Sequence, residues 1–261
     1  MKFDMMDIEK MAEENDSVNE QVTAFVNKIE ADNEVLFDVS ERQVKNFYMN
    51  HGNKDLVKHF TSRMVNERMN MTELAKQIAN ADAGMDPKEL QLLAKQALDE
   101  ANHFRMVKDV VEHLNGGPID VKEFVEWDQA NNVSSKGAKL IAKYDCDNDE
   151  MAMALYQFIC EGRAARNWFM MSTCVTDPFI ANTYARIARD EKFHSKIGRR
   201  KLMQLCDTPE KQARALKIAN QMRIDLYEIN CSGSGEMPGT RELIEQAYGK
   251  AEEFENSNQP A

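Results

Sequence analysis

The chain has 261 residues, with 33 lysines and arginines against 44 aspartates and glutamates, and its formal net charge is −11. A general nucleic-acid binder needs a basic surface, so the acidic balance argues against that class of protein. No run of about 18 apolar residues occurs, as a membrane-spanning helix requires. The opening segment MKFDMMDIEK carries acids where a signal peptide has an apolar core, so we expect a cytoplasmic protein.

The composition favours helices throughout. The chain has 17 methionines but only 11 glycines and 6 prolines, which is rich in helix formers and poor in turn formers. Its five cysteines are widely spaced and form no C-x-x-C pair, which argues against a rubredoxin-type or zinc-knuckle module and fits free thiols in a reducing compartment. We therefore predict an all-α protein.

Helix boundaries follow from the spacing of apolar residues and from turn signals. Asp86-Pro87 and Asp177-Pro178 each give an N-cap oxygen followed by proline at the first helical position. The predicted helices, in chain order, are 18–36, one that begins between residues 40 and 54 and ends near residue 81, 87–114, 149–175, 178–205, 209–229 and 240–255. Segment 118–148 has a weaker helical pattern, and the Cys231-Ser-Gly-Ser-Gly235 run predicts the end of a helix and a flexible joint.

The order of the four long helices in the middle of the chain predicts a topology. Short loops join the first two and the last two, which makes each pair antiparallel, whereas roughly 30 residues separate the pairs and can cross the bundle from end to end. One long crossover is typical of ferritin-like four-helix bundles. We predict such a bundle over 39–230, an acidic N-terminal extension over 1–38, and a linker, short helix and tail over 231–261.

Two of the five histidines lie in the same local pattern. These are Asp99-Glu100-Ala101-Asn102-His103 and Asp190-Glu191-Lys192-Phe193-His194. Residues i and i+3 share one face of a helix, so each Glu-x-x-His directs a carboxylate and an imidazole at one point. This combination favours a metal ligand pair on each of two helices.

The other two long helices each carry one glutamate among apolar neighbours. Glu67 lies at helical spacing from Phe60 and Met64, and Glu161 from Phe158 and Trp168. A lone carboxylate in an apolar stripe is costly unless it is paired or bound to metal. The alternative for each glutamate is a solvated helix face, with an arginine close by in sequence as its ion-pair partner.

Four glutamates and two divalent cations balance in charge. Carboxylate oxygens with one imidazole per metal suit Fe(II) or Mn(II). The adjacent aspartates then have a natural place around the ligands: Asp99 would accept the second ring N–H of His194, and Asp190 that of His103.

The ordered set E…(D)ExxH…E…(D)ExxH resembles the ferritin-like non-haem di-iron carboxylate oxygenase superfamily over about residues 55–205. Ligand spacings of 33, 61 and 30 residues are more similar to its oxygen-activating branch than to bacterioferritins. Asp99–His103 and Glu191–Gly198 look most like the catalytic subunit group of phenylacetyl-CoA epoxidase. The resemblance implies these catalytic metal ligands: Glu67, Glu100, His103, Glu161, Glu191 and His194.

The same resemblance implies the chemistry. We expect two iron ions, with a Mn/Fe pair as the variant, that activate dioxygen through a peroxo-diferric intermediate and oxygenate or oxidise a small organic substrate. Electrons would come from the substrate or from an external reductase or ferredoxin, since the sequence has no flavin motif. Bundles of this type often pair, so we expect a homodimer.

One position departs from a well-known relative. The small subunit of ribonucleotide reductase has a radical tyrosine about two turns after the first Glu-x-x-His glutamate, and here that position is Val107. This puts a radical-storage role in doubt. Tyr156, five residues before Glu161, matches a tyrosine near the metals in some oxidase relatives and is our candidate redox-active residue.

Other functions remain open at this stage. A ferroxidase or a peroxide-scavenging protein would use the same six ligands, and a non-catalytic partner subunit of a di-iron complex would keep the fold. Segment 185–201 has seven bases and two acids, which suits an anionic substrate or an acidic partner. The alternative, which we favour, is a solvated helix face neutralised by the acidic N-terminal region.

Overall fold

The computed structural model describes residue 8 and residues 10–12, 19–131 and 136–250. Every regular element in these residues is a helix, which confirms the all-α prediction. The helices are α1 Glu20–Asn50, α2 Asn53–Ala79, α3 Pro87–Asn115, α4 Val121–Asn131, α5 Lys136–Lys143, α6, α7 Pro178–Leu205, α8 Pro209–Ser234 and α9 Thr240–Tyr248. Helix α6 is continuous through Glu150–Leu155, a π-helical turn at Tyr156–Glu161, and Gly162–Cys174.

The four long helices α2, α3, α6 and α7 form the helical bundle. Helix α2 packs mainly on α3, α6 packs mainly on α7, and α3 also contacts α7. Residues 80–86 join the first pair and residues 175–177 the second, whereas the connection between α3 and α6 holds the short helices α4 and α5. Asp86 and Asp177 cap α3 and α7 as the sequence predicts, because each side chain accepts a backbone N–H of the first turn.

Helices α1 and α8 lie against this bundle. Helix α1 packs along α6, and α8 packs on α1. Their shared core includes Ile29, Leu36 and Met222, and a second core inside the bundle stacks Tyr184 against Phe60 and Trp168, with ring centroids 5.1 and 5.3 Å apart.

Two helix ends differ from the sequence prediction. Helix α1 does not stop at residue 36 but runs to Asn50, because buried apolar positions continue at helical spacing through Val39, Val44 and Phe47. Helix α8 does not stop at residue 229; it continues through the predicted joint and ends at Gly235, which has a φ of +87°. The predicted boundaries at residues 38 and 230 stay a prediction, and α1 and α8 each run across one of them.

The C-terminal helix is shorter than expected. It ends at Tyr248, because Gly249 has a φ of +91° that L side chains rarely adopt. The remainder of the predicted 240–255 helix beyond residue 250 lies outside the described residues.

Acids of α1 neutralise part of the basic surface on α6 and α7. Arg166 pairs with Glu34, Asp38 and Glu41, and Arg199 pairs with Glu30 at 3.2 Å. The sequence favoured neutralisation of segment 185–201 by the acidic N-terminal region, and the structure shows this for Arg199 of that segment. None of the described helices is both long enough and apolar enough to cross a membrane.

Candidate metal centre

Four helices bring six ionisable side chains together inside the bundle. Glu67 comes from α2, Glu161 from α6, and one Glu-x-x-His pair from each of α3 and α7. All six side chains are buried, and Glu100, His103 and His194 are 0% exposed. Buried acids and imidazoles at this density are costly without a compensating charge, so the cluster is not an ordinary core feature.

The six residues form two overlapping groups of four. One holds Glu67, Glu100, His103 and Glu191, and the other holds Glu100, Glu161, Glu191 and His194; within each group the ligand atoms lie within 4.8 Å of one another. Glu100 and Glu191 belong to both groups. This geometry allows two metal ions side by side, with Glu100 and Glu191 between them and one glutamate and one histidine at each end.

Both imidazoles turn the same nitrogen toward the carboxylates. His194 Nδ1 is 3.3 Å from Glu100 Oε1 and 3.1 Å from Glu191 Oε2, and His103 Nδ1 is 3.5 Å from Glu191 Oε1. The Nε2 atoms point away, to Asp99 Oδ2 at 3.2 Å from His194 and to Asp190 Oδ2 at 3.3 Å from His103. The structure therefore contains both crossed aspartate–histidine contacts expected from the sequence. An Nε2–H that donates to a carboxylate leaves the Nδ1 lone pair for a metal.

Several polar atoms of the cluster have no hydrogen-bond partner among the described residues. These are both carboxylate oxygens of Glu100 and Nδ1 of His103, all of which are buried. Buried polar atoms are almost always satisfied, and a bound ion is one explanation for such an exception. Carboxylate oxygens plus imidazole nitrogen form a donor set that divalent transition metals accept, so these residues fit metal ions.

The pKa values of the buried glutamates also favour a site for cations. Burial raises the pKa of Glu67 to about 8, and the charges of Glu100 and Glu191 add to the rise. Burial and the same two neighbours raise the pKa of Glu161 well above its ordinary value. Burial acts against ionisation of Glu100 too, but the two histidines outweigh it and lower the pKa of Glu100.

The histidines respond in the opposite sense. Burial lowers the pKa of an imidazole, yet the surrounding acids outweigh that effect and raise the pKa of both histidines well above the ordinary value. For His103 the first of these acids is Asp190, and for His194 it is Asp99. Without metal the cluster therefore retains protons that a metal would displace.

Glu161 stands at the end of the π-helical turn, a feature that the sequence did not predict. Here α6 meets α7 very closely: a Cβ added to Gly198 would lie 2.4 Å from the carbonyl oxygen of Ala154 and 2.5 Å from the backbone nitrogen of Phe158. The Ser195 hydroxyl donates to the Phe158 carbonyl at 2.9 Å. π-turns inside α-helices are frequent at functional sites, and this one sets the position of a ligand.

Three further polar side chains surround the ligands and were missed in the sequence. Gln157 donates to Gln96 at 2.8 Å, and Gln96 donates to Glu161 Oε1 at 3.4 Å. Lys95 is buried and pairs with Asp99. The sequence does contain a signal for two of these residues. Lys95 and Gln96 lie one helical turn before Asp99 and Glu100, so they share the same face of the helix.

A cavity of about 190 Å³ leads from the cluster toward the surface between α2, α6 and α8. Glu67, Glu161 and Glu191 line its inner end, and the exposed residues Ser232 and Gly233 line its outer end. Tyr156 lines the same cavity, and burial, followed by the charge of Glu161, raises the pKa of its phenol well above the ordinary value. Its redox role stays a prediction.

No family model, no curated protein and no solved structure matches this chain. The protein is helical, with a buried cluster of glutamates and histidines that could hold metal ions.

Proposed function

We propose that the protein is a di-iron enzyme that activates dioxygen and oxygenates or oxidises a small organic molecule, with a Mn/Fe pair as the variant. The observation that carries the proposal is the pair of overlapping ligand groups that share Glu100 and Glu191, next to a cavity that reaches three of the ligands. Two adjacent metals beside a cavity large enough for a small organic molecule would form a site suited to redox chemistry on a bound substrate.

The ligand order supports the iron assignment. One glutamate from each of two helices and one Glu-x-x-His from each of the other two is the ligand pattern of ferritin-like di-iron and di-manganese carboxylate proteins. Four glutamates carry −4, and two divalent cations cancel that charge, which relieves the repulsion that raises the pKa of Glu67. Iron bound here would supply the redox equivalents and open coordination positions needed to reduce dioxygen.

Each side chain has a definite task in this proposal. Glu100 and Glu191 would be shared by the two metal ions, and His103 and His194 would each bind one of them through Nδ1. Asp99 and Asp190 hold the imidazole rings in that tautomer by accepting from Nε2. Glu67 and Glu161 line the cavity, where a bound substrate would lie beside them.

The cavity favours an organic substrate over iron as substrate. Arg63 and Arg163 line it together with the apolar rings of Tyr156 and Trp168. The two arginines oppose the approach of Fe(II) to the three glutamates of this cavity, and the aromatic rings suit an organic molecule better than a metal ion. Electrons beyond those of the substrate come from an external reductase or ferredoxin, because the sequence has neither a flavin motif nor a C-x-x-C pair.

Anaerobic Fe(II) titration tests the metal assignment. We expect two irons per wild-type chain and fewer in His194→Ala, with His113→Ala as the matched control, because His113 is an exposed histidine that pairs with Asp177. Substrate-dependent dioxygen uptake then tests the activity. No specific iron binding, or equal binding in wild type and His194→Ala, would contradict the proposal, and cage assembly with an iron mineral would favour iron storage instead.

A further inference from the structure

The cavity beside the glutamate–histidine cluster contains a buried guanidinium that forms no ion pair with any acid of the described residues. Arg163, on α6 two residues after the ligand Glu161, is only 8% exposed. Among the described residues its one hydrogen bond goes to the neutral side chain of Asn230, and its Nε is buried without any partner. Arginine is very seldom buried without a carboxylate or phosphate to bind. The environment of Arg163 therefore favours the binding of an anion.

A second guanidinium faces the same space. Arg63 of α2 is half-buried over the ring of Trp168, 5.5 Å from the ring centroid, and no carboxylate pairs with it in the part of the chain that the structure describes. Arg63 and Arg163 both line the cavity, so an anion bound there would stabilise two cations.

The acids at the inner end of the cavity do not fill that role once metals are bound. Glu67, Glu161 and Glu191 line the inner end, and each also belongs to the metal cluster. The charges of the four glutamates are balanced when two divalent cations are present. The two arginines then leave the loaded cavity with a net positive charge, in the place where a substrate reaches the metals.

The other residues that line the cavity, together with its volume, indicate which organic group the anion carries. Tyr156 and Trp168 supply aromatic surface, and Leu226 and Ile229 of α8 supply aliphatic surface. An apolar cavity of about 150 Å³ holds benzene, and this cavity has about 190 Å³. We propose that it binds an organic carboxylate about the size of one aromatic ring, with the carboxylate on Arg163 and Arg63 and the apolar part directed at the metal cluster. This inference rests on the proposed function for the bound metals that balance the glutamates and for what happens to the bound acid.

Benzoate is the probe, titrated calorimetrically into protein loaded with Fe(II) under anaerobic conditions. Benzamide has the same shape without the charge and is the matched ligand control. We expect benzoate to bind at least about tenfold more tightly than benzamide, because charge-assisted hydrogen bonds to a buried guanidinium are lost in the neutral analogue.

Metal ions also bind carboxylates. Substitution of the arginines therefore distinguishes binding of benzoate to the arginines from binding to the metals. Arg163→Met and Arg63→Gln should each weaken benzoate binding about tenfold to a hundredfold and leave benzamide binding unchanged. Arg105→Gln is the matched control, because Arg105 is exposed and pairs only with Asp109. If Arg163→Met fails to fold, the half-buried Arg63→Gln decides the question.

Unchanged benzoate affinity in the arginine variants, or equal affinity for benzoate and benzamide, would overturn the inference. None of these measurements uses dioxygen, so the two proposals fail separately. If the protein bound iron and consumed dioxygen but did not prefer benzoate to benzamide, the proposed enzyme activity would stand and the proposed anion site would be wrong. If benzoate binding depended on the arginines but the protein consumed no dioxygen, the anion site would stand and the oxygenase proposal would be wrong.

Discussion

Asp99 on α3 accepts a hydrogen bond from Nε2 of His194 on α7 at 3.2 Å, and the same Oδ2 atom pairs with the ammonium of Lys95. The three side chains are 0–5% exposed. Burial raises the pKa of Asp99, but its hydrogen bonds with His194 and then with Lys95 outweigh that effect and lower the pKa. Asp99 in turn fixes the tautomer that presents Nδ1 of His194 to the ligand cluster.

Asp99→Asn should weaken Fe(II) binding about tenfold to a hundredfold, the usual cost of losing the partner of a ligand histidine. The asparagine keeps the shape but removes the charge that makes the imidazole a better ligand. Competition with a chelator measures the affinity. Asp109→Asn, which removes an exposed acid from the same helix, is the control and should bind iron normally.

The same substitution also leaves Lys95 as a buried cation with no anion. Breaking a buried pair by removing one partner typically costs about 3–5 kcal/mol of stability. Adding Lys95→Met to Asp99→Asn should recover most of that stability in denaturant unfolding but none of the iron affinity. Recovery of both would show that Asp99 acts only through stability.

Asp190→Asn should have a smaller effect on iron affinity than Asp99→Asn. Asp190 holds His103 at 3.3 Å, but its side chain is 23% exposed against 5% for Asp99. Water can therefore replace part of the lost interaction at Asp190, and in a more polar environment each charge is worth less. The two variants are compared in one chelator competition, and a larger loss in Asp190→Asn would contradict the ranking.

The grouping of the six glutamates and histidines could be predicted because it depends largely on local spacing. An i, i+3 pair such as Glu100 and His103 shares a helix face whatever the tertiary structure, and Asp-Pro sequences mark the starts of α3 and α7 at Pro87 and Pro178. The crossed aspartate contacts follow once two such helices face each other.

What could not be predicted depends on contacts between distant segments. The alternative for Glu161 was a solvated face beside Arg163, yet Arg163 is buried and donates to Asn230 of α8, 67 residues away in sequence. The π-turn before Glu161 depends on the approach of Gly198 from another helix. Periodicity within one helix carries no information about either contact.

Metal binding should release protons, and the apparent affinity should rise with pH. In metal-free protein the pKa of Glu67 is raised to about 8, and the pKa values of Glu161, His103 and His194 are also raised, so these groups hold protons near neutrality. A metal binds only the deprotonated ligands, so acidification favours the metal-free form and alkali favours the loaded form until Glu67 has titrated. The affinity should therefore increase steadily between about pH 6 and pH 8.

Calorimetry in two buffers with different ionisation enthalpies counts the protons. The observed heat should differ between the buffers in proportion to the number released, and His194→Ala should release fewer than wild type. Identical heats in both buffers would mean that the cluster is already deprotonated without metal.

Gly198→Ala should damage both stability and the metal site. The new methyl group would meet backbone atoms of Ala154 and Phe158 at 2.4 and 2.5 Å, and backbone cannot move aside as a flexible side chain does. Helices α6 and α7 must therefore separate, at a cost of about 1–3 kcal/mol typical of overpacking. That separation displaces the π-turn that positions Glu161, so iron binding should weaken together with the free energy of unfolding.

Gly233→Ala is the matched control, since Gly233 is also helical and a Cβ there meets nothing within 4 Å. It should leave iron binding unchanged and raise stability slightly, because alanine is the better helix former by roughly 1 kcal/mol. Denaturant unfolding and Fe(II) titration of both variants make the comparison. If Gly198→Ala behaved like Gly233→Ala, the close approach of α7 to the π-turn would not be what holds Glu161 in place.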